Sequence, residues 1–189
     1  LHDQAARIAK ETAETVVLGD VFDDRTMLGP LMNQRQFENV NALIGRAIGE
    51  GADLLSGGVG RPQGMTRGYF VKPTVFANVS RHMTTAKHEV FGPVVSLIPY
   101  TDVEEAIEIS NETPYGLAAY VQGADLHLAK QVAARLRVGQ VMINNPTWQA
   151  SAPFGGYKQS GNGRECGEFG LEAFLEVKAV GGLAEDRVS

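Results

Sequence analysis

The sequence predicts an α/β fold in which helices flank a mostly parallel sheet. Two observations lead to this prediction. Short, mainly apolar runs of strand length, such as residues 94–98, alternate with segments whose apolar residues recur every three or four positions. Several of these periodic segments begin directly after an Asp or Asn, residue types that cap helices. Strands with apolar centres, joined by amphipathic helices, are typical of right-handed βαβ units in a parallel sheet.

The first half of the chain is predicted to contain two helices and two strands. Asp3 is positioned to cap the first helix, and Gly19 ends its helical pattern. Asn33 is a candidate cap for the second helix, which Gly49 ends. Pro73 favours an edge or irregular position for the second strand. The predicted helices span 3–19 and 33–49, and the predicted strands span 52–55 and 69–76.

The second half alternates more regularly and then loses its pattern. Asp102 and Asp125 are expected to cap two helices that separate three strands. These strands span 94–100, 117–122 and 141–144, and a final helix (165–171) and an alternating strand (174–180) follow. The residues between the last of the three strands and the final helix lack periodicity, and so long a loop is usually functional or disordered. Ligands of open parallel sheets bind beyond the carboxyl ends of the strands, so we expect the site there.

Composition narrows the class of function. The 17 Lys and Arg against 22 Asp and Glu give a net charge of −5, which argues against nucleic-acid and polybasic membrane partners. The four histidines lack metal-ligand spacing, and the single cysteine, Cys166, leaves no disulfide framework or cysteine-rich zinc site. No apolar stretch reaches the roughly 18 residues of a membrane span, and no signal peptide opens the chain. We therefore expect a cytoplasmic protein without a metal.

The segment 89–93 is the first candidate for chemistry, because it directly precedes a predicted parallel strand. The carboxylate of Glu89 can accept two hydroxyl hydrogen bonds, as from a ribose diol, and the ring of Phe91 can stack on a flat ring. The alternative interpretation is a surface glutamate and a core phenylalanine beside a Gly-Pro turn. Spacing alone favours that alternative.

The loop 153–165 is the second candidate. Its glycines at 155, 156, 161 and 163 permit left-handed backbone or a close approach to a ligand. The run matches neither the dinucleotide-binding nor the phosphate-loop glycine pattern, so a phosphate cradle is excluded. The alternative interpretation is a long glycine-rich surface loop.

Taken together, these segments resemble the aldehyde dehydrogenase superfamily. The matching segments, in chain order, are 17–20, 29–31, 68–74, 89–93, 111–119, 153–165 and 176–178. No single segment is decisive, but the ordered set is highly specific and covers essentially the whole chain. The resemblance implies the catalytic-domain fold of that family, together with a C-terminal strand through which subunits pair their sheets.

The resemblance also assigns cofactor roles to three residues. Glu89 matches the glutamate that binds the nicotinamide ribose hydroxyls, and Phe91 matches the aromatic residue that positions the nicotinamide ring. Leu117 falls where the family packs an aliphatic side chain near that ring. The implied cofactor is NAD or NADP.

Substrate and proton-transfer roles fall in the second candidate region. Trp148 lies in the variable aromatic loop that lines the aldehyde tunnel, and Phe154 matches a pocket phenylalanine. Glu165 matches an acidic residue sometimes assigned to proton relay, with Arg164 beside it as an expected ion-pair partner. The implied substrate is a small-molecule aldehyde.

The sequence departs from the family at its catalytic residues. Family members attack the aldehyde with a thiolate from a Gly-Gln-x-Cys loop, transfer hydride to NAD(P)+ and hydrolyse the thioester. That loop is absent from the 189 residues, and the base glutamate, the oxyanion asparagine and the first nucleotide-binding strand–turn–helix would also precede residue 1. We therefore expect the C-terminal part of an aldehyde dehydrogenase that is inactive alone. Cys166 is expected to be a small buried hydrophobe rather than a replacement nucleophile.

The resemblance divides the chain functionally. Residues 1–173 would form a partial catalytic domain with the substrate-tunnel loop at 145–163, and residues 174–189 an oligomerisation strand and tail. The expected assembly is a homo-oligomer, a dimer or tetramer in the parent enzyme. Two alternatives stay open: a non-catalytic oligomerisation module, and a relative that acts on an acyl-CoA or acyl phosphate. The sequence does not identify the aldehyde.

Overall fold

The computed structural model of the protein describes residues 1–147 and 149–182. The chain divides after Thr113 into two compact units, called here the first unit (Leu1–Thr113) and the second unit (from Pro114 onward). Helices alternate with short strands in both units, which confirms the predicted α/β class. The functional boundary predicted after residue 173 is not tested by this division and stays a prediction.

The first unit is built around a three-stranded sheet. It contains the helices α1 (His2–Glu14), α2 (Gln34–Gly49), α3 (Thr84–Lys87) and α4 (Val103–Glu112) and the strands β1 (Asp53–Ser56), β2 (Thr74–Ala77) and β3 (Val94–Ser96). Strand β2 lies between the other two. It pairs in parallel with β3, as predicted, but antiparallel with β1, so the sheet is mixed. The one-turn helix α3 was not predicted from the sequence.

The core of the first unit lies between β2 and α2. All four residues of β2 are buried, because the strand is central in its sheet and covered by α1 and other elements. Phe76 is completely buried and packs in one cluster with Val40 and Ile44 of α2. The only buried polar residue of this core, among the described residues, is Thr74. Its hydroxyl donates to the Lys72 carbonyl (2.8 Å) and accepts from the Gly58 amide (3.1 Å).

The predicted helix caps at Asn33 and Asp102 are confirmed. The Asn33 side chain accepts from the backbone amide of Gln36, and Asp102 accepts from that of Glu105. The first helix, however, ends at Glu14 rather than at residue 19. Its expected extension is replaced by backbone pairing, since the Val17 carbonyl accepts from the amides of residues 27 and 28.

The second unit contains one βαβ unit and a long loop. Its elements are β4 (Ala118–Val121), α5 (Leu126–Arg135), β5 (Gln140–Ile143), a 3₁₀ turn (Lys158–Ser160) and α6 (Gly167–Glu172). Strands β4 and β5 pair in parallel, with Ala118 opposite Gln140. The predicted cap of α5 is confirmed, because the Asp125 carboxylate accepts from the backbone amides of His127 (2.9 Å) and Leu128 (3.0 Å).

The predicted C-terminal strand at 174–180 is not formed. These residues lack strand pairing, and the Phe174 and Val177 side chains are 85% and 99% exposed. The physical reason is that an extended segment becomes a strand only beside a partner, and the described residues supply none. Among those same residues, no helix combines the length and apolar character needed to cross a membrane.

Candidate functional site

Segment 89–93 of the first unit connects α3 to β3 and presents two candidate residues outward. Val90 is buried in the core cluster, whereas Glu89 and Phe91 on either side of it are exposed. Phe91 is 79% exposed, so the alternative interpretation of Phe91 as a core residue is wrong. Within the described part of the chain, the Glu89 carboxylate has no hydrogen-bond or ion-pair partner. The segment therefore exposes a free carboxylate and a free aromatic ring two residues apart.

The backbone of segment 89–93 is held on both sides. The side-chain amide nitrogen of Gln36, on α2, donates to the Phe91 carbonyl at 2.7 Å. It also lies 3.4 Å from the Val90 carbonyl, a weaker contact. The Thr74 amide donates to the Pro93 carbonyl at 2.8 Å. Gly92 packs on α2 so closely that a Cβ there would lie 2.9 Å from a methyl group of Val40. The exposed side chains thus stand on a fixed backbone.

Sequence reasoning missed the contribution of Gln36. A signal was present, because Gln36 precedes the buried Val40 by one helical turn and therefore shares its face of α2. A polar side chain at such a position is expected to find a hydrogen-bond partner in the protein. What the sequence could not show is that this partner is the backbone of a segment more than 50 residues later.

In the second unit, Leu117 and the loop 153–165 both contact the amino ends of the paired strands β4 and β5. Leu117 directly precedes β4, is 40% exposed and accepts from the Gln140 amide at 3.2 Å. The preceding residue, Gly116, accepts from the amides of Gly139 (3.0 Å) and Tyr157 (2.8 Å). Its own amide donates to the Ser160 hydroxyl at 2.9 Å. The glycine-rich loop is therefore packed, which argues against the interpretation as a loose surface loop.

Phe154 and Glu165 are brought together by reciprocal backbone hydrogen bonds. The amide of each donates to the carbonyl of the other at 2.7 Å, which forms an isolated antiparallel bridge. Side chains of such a pair project on one face, so the Phe154 ring and the Glu165 carboxyl group share a side of the loop. The family resemblance assigned a substrate role to Phe154 and a proton-transfer role to Glu165, and the structure joins these two residues in one hydrogen-bonded pair.

The expected ion pair between Arg164 and Glu165 is not formed, so that prediction is wrong. The Arg164 guanidinium donates to the carbonyls of Gly163 (2.6 Å) and Gly156 (3.2 Å) and lies 5.3 Å from the Tyr157 ring centroid. Adjacent residues in extended backbone point to opposite faces, which separates the two charged groups. Arg164 instead closes the glycine-rich loop on itself.

The position of the candidate residues corrects a second expectation. In each unit taken by itself, the three cofactor candidates lie at the amino ends of strands and not beyond the carboxyl ends: segment 89–93 leads into β3, and Leu117 leads into β4. The close contacts at these ends depend on Gly92, Gly116 and Gly139, which leave room for loops against the incoming strands. The general rule for open parallel sheets therefore does not locate these residues.

Cys166 and Trp148 complete the set of predicted positions. Cys166 is exposed, so its expected burial is wrong; it directly precedes α6 and has a φ of +62°. Trp148 falls outside the described residues, and its tunnel role stays a prediction. No group of three or more His, Cys, Asp or Glu side chains able to hold a metal occurs in 1–147 and 149–182.

The carboxyl groups with perturbed pKa values fix surface loops of the first unit. The Arg81 guanidinium lowers the pKa of Glu112. Hydrogen bonds from the hydroxyl and amide of Thr84 lower the pKa of Glu50, and those from the amide and hydroxyl of Thr101 lower that of Glu105. These groups have structural partners, unlike the Glu89 carboxylate.

Comparisons with known proteins identify the family. The aldehyde dehydrogenase family pattern matches residues 1–180. The chain is 46% identical over 180 residues to 3-succinoylsemialdehyde-pyridine dehydrogenase from a Pseudomonas species, a match that covers 95% of this chain and 38% of that protein.

Two solved structures agree with that match. Aldehyde dehydrogenase C from Pseudomonas syringae, a cysteine-to-alanine variant with NAD+ and octanal, is 50% identical with a TM-score of 0.92, covering 95% of this chain and 37% of that one. The Mycobacterium tuberculosis aldehyde dehydrogenase with NAD+ is 40% identical with a TM-score of 0.87, covering 92% and 36%. This chain therefore spans little more than a third of the length of these relatives, and it belongs to the aldehyde dehydrogenase family.

Proposed function

We propose that this chain forms part of an NAD(P)-dependent aldehyde dehydrogenase that oxidises an aldehyde to a carboxylate. The single observation that supports this most strongly is the geometry of segment 89–93. Glu89 and Phe91 project from a backbone that α2 and β2 hold in place, and neither side chain has a role in the core. An exposed ring two residues from a carboxylate that has no partner among the described residues fits a ligand that carries both a flat ring and hydroxyl groups.

The two side chains supply complementary interactions with a nicotinamide riboside group. The Glu89 carboxylate accepts two hydroxyl hydrogen bonds, which are charge-assisted and therefore strong. The Phe91 ring provides a flat apolar surface for the nicotinamide ring. NAD(P)+, when bound, accepts the hydride from the substrate carbon. The protein's part is to hold the accepting ring in a fixed orientation, which is a large source of rate enhancement.

The substrate is proposed to be an aldehyde that enters beside the Phe154–Glu165 bridge. Phe154 and Trp148 would line an aromatic tunnel, which suits apolar chains. Glu165, on the same face as the Phe154 ring, is proposed to relay protons. The P. syringae relative is solved with octanal, and the Pseudomonas relative is named for a semialdehyde, so the acceptable aldehydes differ among related proteins.

The nucleophile is proposed to lie outside these 189 residues, so that the chain alone turns over no aldehyde. Cys166 is exposed but lies at a helix of only six residues, without a histidine or other base beside it among the described hydrogen bonds. Thiolate chemistry needs such a partner. If the isolated chain oxidises aldehydes and Cys166→Ala abolishes that turnover, this part of the proposal is wrong.

A chimera tests the proposed activity. In it, this chain replaces the matching part of the unmutated P. syringae aldehyde dehydrogenase C; the 50% identity and TM-score of 0.92 favour correct assembly. The measurement is NADH or NADPH formation with octanal, alongside the isolated chain. We expect turnover by the chimera and none by the isolated chain. A folded chimera that binds NAD+ but leaves aldehyde unoxidised contradicts the proposal.

Homo-oligomer formation through the C-terminal segment is a separate proposal. The Phe174 and Val177 side chains are almost fully exposed, and the segment makes no strand pairing among the described residues, as expected for a strand that pairs with a second copy. Val177→Lys should lower the oligomeric state in sedimentation, whereas Val59→Lys, at a half-exposed loop position, should leave it unchanged. A monomeric starting protein would contradict pairing. The expected cytoplasmic location stays a prediction, to be tested by cell fractionation.

A further inference from the structure

One face of α2 lies against segment 89–93 and makes two kinds of contact with it. Gln36 and Val40 are four residues apart and therefore stack on the same face of the helix. Gln36 donates to the Phe91 carbonyl at 2.7 Å, and the Val40 methyl groups lie against the Cα of Gly92. The polar contact and the apolar contact thus fall on consecutive residues of the segment.

Phe91 has an uncommon backbone conformation. Its φ of +56° lies in the left-handed region, which non-glycine residues occupy only when surrounding contacts hold them there. Burial of the ring cannot be the cause, since the side chain is 79% exposed. The contact that acts directly on this peptide is the hydrogen bond from Gln36, and only the amide nitrogen of Gln36 can make it, because a carbonyl offers no donor.

We propose that Gln36 is a positioning residue that holds Phe91 in the left-handed conformation and so fixes the direction in which the Phe91 ring and the Glu89 carboxylate project. Its relevance to hydride transfer rests on the proposed function above. The residue acts through the backbone of Phe91. Loss of the donor leaves the ring present but free to turn, which lowers the fraction of molecules ready for reaction.

The first test uses the 189-residue chain itself and needs no bound cofactor. Backbone chemical shifts and the amide-to-Hα coupling report the φ of Phe91 in isotopically labelled protein. Gln36→Met keeps the length of the side chain but removes the donor, and we expect Phe91 to leave the left-handed region. Chymotrypsin cleavage after Phe91 should accelerate about two- to twelvefold, the factor expected for loss of one neutral hydrogen bond.

Two further variants separate positioning from general destabilisation. Gln34→Met is the matched control, because Gln34 lies on the same helix and its side chain bonds, within the described residues, only to the exposed Glu38; it should leave both signals unchanged. Gln36→Lys restores a donor of sufficient length and should recover the Phe91 signals, which a merely space-filling role would not predict. Unchanged Phe91 signals in a folded Gln36→Met protein overturn the proposal.

The second test places the same variants in the chimera. With an aldehyde deuterated at its reacting carbon, Gln36→Met should increase the kinetic isotope effect and lower kcat several-fold, because hydride transfer becomes slower than product release. Gln34→Met should match the parent. If Phe91 leaves the left-handed region in Gln36→Met but the isotope effect and kcat stay unchanged, the positioning role is overturned. A parent chimera without turnover counts against the proposed function, whereas the result for Phe91 in the isolated chain still decides whether Gln36 holds it.

Discussion

Segment 89–93 and loop 153–165 both present candidate residues on a fixed backbone, but different interactions fix them. In the first, the Phe91 carbonyl is held by one side chain, Gln36, on a helix more than 50 residues earlier, and the Thr74 amide binds the Pro93 carbonyl. The second is held by backbone hydrogen bonds to Gly116, by the Ser160 and Arg164 side chains, and by glycines whose neighbours leave no space for a side chain. One conservative substitution at Gln36 should therefore release the Phe91 peptide. Where backbone packs against backbone, added side-chain atoms should be strongly destabilising.

The largest expected effect is that of Gly139→Ala in the second unit. A Cβ at Gly139 would overlap the carbonyl oxygen of Gly155. Both segments are held to the Gly116 carbonyl, one by the Gly139 amide and the other by the amide of Tyr157, two residues after Gly155. We expect the free energy of unfolding to fall by at least about 3 kcal/mol, at the upper end for overpacking. Urea denaturation measures it. Gly123→Ala is the matched control, because nothing lies within 4 Å of its Cβ position. Equal free energies of unfolding in the two variants would contradict the claim that close backbone packing at Gly139 holds this loop.

A smaller effect is expected for Gly92→Ala in segment 89–93. The added Cβ would lie 2.9 and 3.0 Å from the two Val40 methyl groups, which are side-chain atoms and can shift. We expect a loss of about 1–2 kcal/mol in the free energy of unfolding. A double-mutant cycle with Val40→Ala identifies the cause, since the clash disappears in the double variant and its loss should be smaller than the summed single losses. Strict additivity would contradict this origin.

Phe91→Asn should stabilise the first unit slightly. Asn tolerates the left-handed conformation better than Phe does, and the exposed ring contributes little burial. We expect a gain of about 0.5–1 kcal/mol in urea denaturation, together with loss of activity in the chimera. Phe22→Asn is the control, because Phe22 is 92% exposed and has no positive φ. A stability loss specific to Phe91→Asn would show that the ring supports the fold.

The smallest effect concerns acid sensitivity. The Arg81 guanidinium holds the pKa of Glu112 below its ordinary value of 4.5 in the folded protein. The contribution of this pair is therefore present above pH 4.5 and lost as the pH falls through the lowered pKa. Glu112→Gln should make the unfolding free energy fall less steeply below pH 4.5, as measured by urea denaturation at a series of pH values. An unchanged slope in Glu112→Gln would contradict the assigned pair.

Much of the fold was predictable from local chemistry. The helix caps at Asn33, Asp102 and Asp125 were correct, because a short side chain that satisfies free amides is a local signal. The early end of α1 and the antiparallel β1 were missed, since both depend on which distant backbone groups pair. The prediction of a strand at 174–180 was wrong for a related reason: a strand needs a pairing partner, and the described residues supply none.

The candidate residues were located less completely. The family resemblance pointed to Glu89, Phe91, Phe154 and Glu165, but spacing could not show that the last two share a backbone bridge. The exposure of Cys166 and the loop-closing bonds of Arg164 were also missed. Both follow from left-handed and extended backbone around glycines, which periodicity does not encode.

The most direct test of the central claim is the KM for NAD+ of the chimera with Glu89→Gln. The substitution keeps the size of the side chain and removes the charge that should bind the ribose hydroxyls. We expect KM to rise about 10- to 100-fold, the range for losing hydrogen bonds to a charged group, whereas Glu38→Gln, an exposed residue of α2, should leave KM unchanged. A KM for NAD+ that is the same in Glu89→Gln and the parent would contradict the claim that segment 89–93 contacts the cofactor.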